Sequence, residues 1–186
     1  MRSRVGSTPT LFRHFPGTAR APGSRADGAA RRGGFGSSLM PAEIFRGRIP
    51  DDGRRYDPRH DMWVRRDDHH VVIGTTAFGI FLAGRIVAFT SKPAGAEVVR
   101  GRGLGTVESA KTVLAVHAPL SFILEQANAD AEARPEWLNE DPHGRGWLVR
   151  GRALAWERES ADLIDARAYL AHVRAADPTA IVELSP

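Results

Sequence analysis

Beyond residue 40 the chain consists largely of short stretches in which apolar and polar residues alternate, a pattern typical of β-strands. The clearest stretch covers residues 103–119, and its second half is rich in β-branched and apolar side chains. The small and polar residues 108–111, Glu-Ser-Ala-Lys, separate its two halves and favour a tight reversal of the chain. The stretch therefore predicts a β-hairpin with Lys111 at its tip, where the long side chain extends into solvent.

The rest of the pattern predicts more short strands and a helix near the C-terminus. Thr75 or Thr76 caps a short helix over residues 77–82, which ends at Gly84. Ser160 caps a longer helix with one apolar stripe, formed by Leu163, Ala166, Leu170 and Val173. Strands are predicted at 62–65, 70–75, 85–90, 97–99, 122–124 and 147–150. This arrangement predicts a mainly β fold, a small barrel or sandwich of short antiparallel strands with a C-terminal helix.

The first 39 residues differ in composition from the rest of the chain. They are rich in Arg, Gly, Ser, Ala and Pro, and seven arginines against one acid give them a charge of +6. The whole chain carries +4, so residues 40–186 carry −2, and they are numerous enough to form one domain with a hydrophobic core.

We expect residues 1–39 to be a disordered Arg/Gly-rich extension, or the product of a start codon placed before Met40. The reason is that such a composition buries too little apolar surface to fold. We then expect a cytoplasmic protein. An Arg-rich, acid-poor leader also fits a mitochondrial transit peptide, which would place the protein in the mitochondrial matrix.

Lysine is rare in this chain, because only Lys92 and Lys111 stand among the 26 Lys and Arg residues. A primary amine forms amides and the guanidinium group of arginine is no substitute for it, so a lysine at a hairpin tip suits covalent loading by another enzyme. The alternative is an ordinary solvated turn lysine. The chain has no cysteine, which excludes disulfides, thiolate-bound metals and a cysteine nucleophile, and which is compatible with a reducing cytosol.

Several segments resemble the glycine cleavage system H protein family. Residues 108–111, with the apolar strand after them and Ala118-Pro119, are similar to the lipoylation hairpin of that family. Residues 138–148 resemble its Asn-x-x-Pro-x-Gly-x-Gly-Trp segment, and residues 163–169 resemble its C-terminal helix. The segments follow the order of the family at nearly its spacing, so together they are more specific than any one of them.

The opening of the domain resembles the same family. Tyr56, His60 and Trp63 are similar to its Tyr-x-x-x-His-x-Trp motif, with one extra residue at Met62. The resemblance thus spans residues 56–173.

The resemblance implies a barrel-sandwich hybrid that carries covalently attached lipoate on Lys111, with Glu108 recognised by the lipoyl-attaching enzyme. It implies a non-catalytic carrier. The arm would take an aminomethyl group at glycine decarboxylase, deliver it to a tetrahydrofolate-using aminomethyltransferase, and be reoxidised by dihydrolipoyl dehydrogenase. A tethered arm has a high effective concentration at each docked partner, so a carrier needs docking surface more than catalytic residues.

Two departures from the family bear on the partners. Arg85 stands where the family usually has an acid in Leu-Gly-Asp, and Phe122 follows Ser121 where the family has Pro-x-Ser-Gly. We expect both to alter the surface around the arm. A second hypothesis is therefore a lipoate-binding relative of H protein that serves another pathway, such as sulfur oxidation.

A third hypothesis is a small metal-dependent enzyme. His60, Asp61 and the run 67–70, Asp-Asp-His-His, offer oxygen and imidazole ligands for zinc or iron. Against this, the run falls in a predicted hairpin turn, and adjacent residues of a strand point to opposite faces. His117, on a predicted strand, is interpreted as a structural histidine with its hydrogen bonds satisfied. We expect no membrane partner, since residues 1–39 contain no apolar run long enough to span a bilayer. We expect no nucleic-acid partner either, since the basic residues of that segment have no aromatic interleaving beyond Phe12, Phe15 and Phe35.

Overall fold

The computed structural model describes residues 43–186, so the predictions for residues 1–39 lie outside the described part of the chain. Strands hold 40% of the described residues and helices 24%, which confirms the mainly β prediction. The strands are β1 (Arg46–Pro50), β2 (Arg55–Asp57), β3 (Met62–Asp67), β4 (His70–Thr75), β5 (Ile86–Ser91), β6 (Glu97–Val98), β7 (Gly103–Ser109), β8 (Val113–His117), β9 (Phe122–Ala127), β10 (Val149–Ala153) and β11 (Ile181–Ser185). The helices are α1 (Ala77–Ala83), α2 (Ala129–Ala133), α3 (Glu136–Glu140), α4 (Trp156–Glu159) and α5 (Ala166–Ala176).

Six strands form one antiparallel sheet in the order β2-β3-β4-β10-β9-β6. Its hairpin β3–β4 is the predicted one, but Asp67 and His70 pair with each other, so the turn is shorter than the polar run 65–70. Asp68 in that turn has a left-handed φ of 53°, which aspartate tolerates better than most residues.

The second sheet contains three antiparallel strands, with β7 between β5 and β8. Both sheets contribute buried side chains to the main hydrophobic core, among them Val64, Ile73, Val107, Val116 and Leu124. Burial of this apolar surface is the main favourable contribution to folding. Two sheets around one core, followed by a C-terminal helix, form the predicted barrel-sandwich hybrid.

A second apolar cluster joins α5 to the two ends of the described chain. Strands β1 and β11 pair in parallel, from Arg46 opposite Ile181 to Pro50 opposite Ser185. We call this pair the terminal clasp. The buried side chains of the clasp and of Phe45, just before it, pack in one cluster with those of α5, β2 and α1, namely Ile49, Val182, Tyr169, Val173, Tyr56 and Phe78. The sequence pattern did not predict the clasp.

One predicted helix cap is confirmed and the other is wrong. The side chain of Thr76 accepts a hydrogen bond from Gly79 N at 3.0 Å and caps α1. Ser160 does not cap α5: it begins a 3-10 turn, and Ile164 is held extended by paired backbone hydrogen bonds with Tyr56. The helix starts beyond this bridge, where Asp165 caps it. Among the described residues, no helix has the length and apolar character needed to cross a bilayer.

Candidate functional site

The predicted hairpin is present, with a shorter turn than the sequence indicated. Glu108 and Ser109 belong to β7, so only Ala110 and Lys111 of the predicted tip form the turn. Ser109 N donates to Thr112 O at 2.8 Å, and Thr112 N donates to Ser109 O at 3.3 Å. This pair of hydrogen bonds closes a two-residue turn at the end of a regular ladder, which holds the backbone of Lys111 in place.

Lys111 is exposed, and its side-chain amine forms neither a hydrogen bond nor a salt bridge with any residue in the range 43–186. Its backbone N donates to Ser109 Oγ at 3.4 Å, and that hydroxyl donates to Thr112 O at the same distance. The polar contacts at the turn therefore fix the backbone and leave the amine free. A second protein has open access to this amine.

Glu108 faces solvent from β7, three residues before Lys111. In the register it lies between Ala88 of β5 and Val113 of β8. Its neighbours along the strand, Val107 and Ser109, are buried, so the carboxylate is on the outward face of the three-stranded sheet. It forms no salt bridge with another described residue, and it is therefore available to a partner's cationic group.

Asn139 anchors the start of β5 beside the turn. Ile86 N donates to Asn139 Oδ1 at 2.8 Å, and Asn139 Nδ2 donates to Ile86 O at 2.9 Å. Ile86 in turn lies opposite Ser109 in the register of the sheet. The motif at 138–148 thus supports the strand next to the hairpin, a role that the sequence resemblance did not reveal.

The two departures from the family pattern differ in their effect on the surface. Arg85 is exposed and directly precedes Ile86, so it does change the surface beside the turn. Phe122 has no exposed area and lies in the main core, because its position on β9 faces inward. The expectation that Phe122 alters the surface around the arm is therefore wrong.

Asp61, a candidate metal ligand in the sequence, lies instead in a buried hydrogen-bond network. Tyr169 Oη donates to Asp61 Oδ1 at 2.8 Å and lies 2.8 Å from Thr76 Oγ1. Asp61 Oδ2 and His172 Nε2 are buried without a hydrogen-bond partner. Burial raises the pKa of Asp61 to about 7, although the hydrogen bond from Tyr169 opposes the shift. The sequence carried no signal for this network.

His60 and His117 form a second polar group, in which both rings are partly buried and Asp57 is buried. His60 Nδ1 lies 2.7 Å from Asp57 Oδ2, and the His60 ring stacks on the His117 ring with centroids 5.1 Å apart. Burial lowers the pKa of His117, which favours its neutral form. The stacking is consistent with a structural role for His117, but its Nδ1 is buried without a hydrogen-bond partner, so the prediction of a satisfied histidine is wrong for that atom.

The candidate metal ligands have separate partners. His60 pairs with Asp57, Asp61 accepts from Tyr169, and His70 Nε2 lies 3.3 Å from Glu125 Oε2. Within residues 43–186, no group of three or more His, Cys, Asp or Glu side chains is arranged to hold a metal ion. The geometry gives no support to the hypothesis of a metal-dependent enzyme.

Three comparisons with known proteins all point to one family. The family model for the glycine cleavage H-protein matches residues 54–176. The chain is 36% identical over 130 residues to the glycine cleavage system H protein of Mycolicibacterium vanbaalenii, a match that covers 67% of this chain and 96% of that protein. It is 39% identical over 127 residues to the corresponding protein of Synechococcus sp. (strain WH7803), with 68% and 96% covered.

A solved structure supports the same assignment. The crystal structure of a glycine cleavage system H protein from Mycobacterium marinum is similar with a TM-score of 0.58 and 28% identity, and the match covers 66% of this chain and 97% of that chain. Both strands of the terminal clasp lie outside the family match at 54–176. The match includes the hairpin, α5 and every strand of the six-stranded and three-stranded sheets, and the chain belongs to the glycine cleavage H-protein family.

Proposed function

We propose that this protein is a lipoyl carrier of the glycine cleavage system, with the lipoyl group amide-linked to Nζ of Lys111. The observation that carries the proposal is an exposed amine, free of partners in the described chain, on a two-residue turn of a glycine cleavage H-protein family member. The residues present fit the group, because amide formation requires a primary amine and Lys111 presents one on the outside of the fold.

Attachment requires an activated lipoyl donor, such as an acyl adenylate or a carrier thioester. Lys111 Nζ, as the neutral amine, attacks the donor's carbonyl carbon and forms the C–N bond. The bond to the leaving group breaks, that group takes the electron pair, and the nitrogen loses one proton. Glu108 then has a recognition role: its exposed carboxylate orients a cationic patch of the attaching enzyme towards the turn.

Lys111 would hold the lipoyl group, whose dithiolane would supply a redox-active disulfide able to carry an aminomethyl group and two electrons. The proposed partners are glycine decarboxylase, a tetrahydrofolate-using aminomethyltransferase, dihydrolipoyl dehydrogenase and the attaching enzyme. The chain itself contributes a stiff support for Lys111 and surfaces for docking. Tethering raises the effective concentration of the arm at each docked partner, so a chain in this role needs docking surface more than catalytic residues. The chain therefore acts as a carrier.

The exposed Arg85 keeps a second candidate open, a lipoyl carrier that serves sulfur oxidation. An assay with glycine decarboxylase separates the two. With wild type that carries the lipoyl group, we expect glycine decarboxylase to release one labelled CO₂ per carrier molecule from carboxyl-labelled glycine in a single turnover. Lys92→Arg, treated identically, is the matched control and behaves like wild type, whereas Lys111→Arg gives only the blank. Blank-level release by modified wild type contradicts the glycine cleavage assignment and favours the second candidate.

A further inference from the structure

A groove lies on the face of the six-stranded sheet that turns away from the main hydrophobic core. Arg65 and Arg150 flank Val72 in one row of the register, and Gln126 follows Arg150 in the same row. With Trp147, these side chains line a groove of about 280 Å³, and Val72, only 5% exposed, forms its apolar floor. This volume is close to the range of about 300–1,000 Å³ that is usual for small-molecule sites.

A β-bulge brings Gln126 to this groove. The register between β10 and β9 shifts after the pair Arg150 and Gln126, so that Gly151 lies opposite Leu124 and Glu125 is the extra residue. Without the shift, Gln126 would share the inward face of Leu124, because residues two apart on a strand point to the same side. Bulges are common next to functional sites, where they redirect a side chain. The distortion of β9 therefore places an amide in the row of the two arginines.

The groove is rich in hydrogen-bond donors and poor in acceptors. The side chains of Arg65, Gln126 and Trp147 form no hydrogen bond or salt bridge with any residue in the range 43–186. Two guanidinium groups, an amide and an indole offer many N–H donors and a single acceptor, the amide oxygen. No acidic side chain of the described residues lines this groove. A ligand that supplies several acceptor oxygens matches such a set of donors.

The acids nearest to the groove leave its two arginines available. Glu125 is engaged elsewhere, since its Oε2 lies 3.3 Å from His70 Nε2. Asp67 Oδ2 lies 3.9 Å from Arg150 NH2, and the Asp67 side chain is 74% exposed. An ion pair so long and so well solvated contributes little, so it does not commit Arg150. Arg65 and Arg150 are therefore the cations that the groove offers to a ligand.

From these contacts we infer that the groove binds a small anion with a flat apolar body, whose carboxylate or phosphate oxygens accept hydrogen bonds from Arg65 and Arg150. The apolar floor of Val72 and the partly exposed indole of Trp147 suit the body of such a ligand. The arginines stand on β3 and β10, on either side of β4, so their backbones are about 10 Å apart and both side chains reach a ligand between them. A guanidinium group binds either oxyanion in a bidentate manner.

The test is an NMR titration of the isotope-labelled full chain, without a lipoyl group, using probes that separate the charge from the flat body. The probes are naphthyl phosphate, naphthoate, neutral naphthol and inorganic phosphate. The readout is the indole N–H signal of Trp147, assigned with Trp147→Phe. We expect saturable shifts with the two naphthyl anions, and the tighter of the two identifies phosphate or carboxylate as the natural group. Naphthol and inorganic phosphate should bind at least about tenfold more weakly, since each lacks one half of the recognised chemistry.

Substitutions in the groove should weaken binding of the naphthyl anions. Arg65→Gln and Arg150→Gln should each raise Kd at least about tenfold, because each removes a charge-assisted hydrogen bond. The matched control is Arg46→Gln, which neutralises an exposed arginine of β1 in the terminal clasp and should stay within about twofold of wild type. Gln126→Glu adds an acid to the row and should abolish binding, and it serves where an arginine variant fails to fold. The amide spectrum of each variant reports its folding.

Three results would overturn the inference. If naphthol or inorganic phosphate binds as tightly as the naphthyl anions, either the charge or the flat body plays no part. Equal losses in Arg46→Gln and in the two groove variants would show adventitious binding to surface arginines. A Trp147 indole signal that moves with neither anion would exclude the site. All three leave the lipoyl carrier function standing, because Lys111 lies outside the groove and is unmodified in this experiment.

Discussion

Asp61 combines a left-handed backbone, with φ of 52°, and complete burial. One carboxyl oxygen accepts from Tyr169 and the other has no partner. Because burial penalises the ionised form, the pKa of Asp61 is raised to about 7. The folded protein therefore holds this proton more tightly than the unfolded chain does. The fold loses stability as the pH rises from the ordinary carboxyl range through 7.

Asp61→Asn tests this directly. Asparagine has the same shape, tolerates a left-handed backbone and accepts the hydrogen bond from Tyr169 through its carbonyl oxygen. It does not titrate, so it escapes the loss that wild type suffers at higher pH. We expect the variant to gain about 2 kcal/mol in free energy of unfolding relative to wild type between about pH 5 and pH 8, measured by urea titration.

The substitution leaves the neighbouring side chains of Asp57, His60 and His172 in place, so the comparison with wild type isolates the Asp61 carboxyl. The difference between the two free energies of unfolding is thus the informative quantity. If it stays constant across that pH range, the Asp61 carboxyl has an ordinary pKa and the burial argument is wrong.

The position of α5 depends on an element boundary that the apolar stripe did not locate. Leu163 lies in the main core, and the backbone after it is extended, because Ile164 bridges to Tyr56. The stripe therefore mixes one residue before the helix with residues inside it. The cap is Asp165, whose carboxylate accepts from Ala168 N at 2.8 Å. A helix start is set by this local hydrogen bond and not by where apolar periodicity begins.

Asp165→Ala should reduce the free energy of unfolding by about 1 kcal/mol, because it leaves a backbone N–H at the helix start without its acceptor. Ser160→Ala is the matched control: the Ser160 side chain forms no hydrogen bond with any described residue, so we expect a change within about 0.5 kcal/mol. Urea denaturation of the two variants and wild type measures both values. Equal destabilisation by the two substitutions would contradict the cap assignment.

At the scale of the whole molecule, the sequence predicts those elements that depend on residues close together in the chain, such as hairpins and helix caps. Alternation and turn residues located the hairpin at Lys111 and the hairpin β3–β4, and the preference for Ser or Thr at helix starts narrowed the cap of α1 to Thr75 or Thr76. Contacts between distant residues were missed, because alternation says which face is buried and not which strand lies beside it. The terminal clasp pairs Arg46 with Ile181, and the bond between Tyr169 and Asp61 spans 108 residues.

The candidate site shows the same difference between features visible in the local sequence and contacts between distant residues. Lys111 stood out because it is one of only two lysines in an arginine-rich chain, whereas Glu108 was singled out through the resemblance to the H-protein family. That Arg85 is level with the turn depends on the register between β5 and β7, and that Asn139 holds Ile86 depends on a contact across 53 residues. Neither relation leaves a periodic signal. The fold thus supplies the neighbours of the proposed loading residue.

The central claim is that the molecule carries a lipoyl group on Lys111 alone. The most direct measurement is intact mass with peptide mapping after expression together with a lipoyl-attaching enzyme and lipoate, for wild type, Lys111→Arg and Lys92→Arg. We predict a mass increase of one lipoyl group in wild type and in Lys92→Arg, mapped to Lys111, and no increase in Lys111→Arg. A lipoyl group on Lys92, or one that persists in Lys111→Arg, would contradict the account.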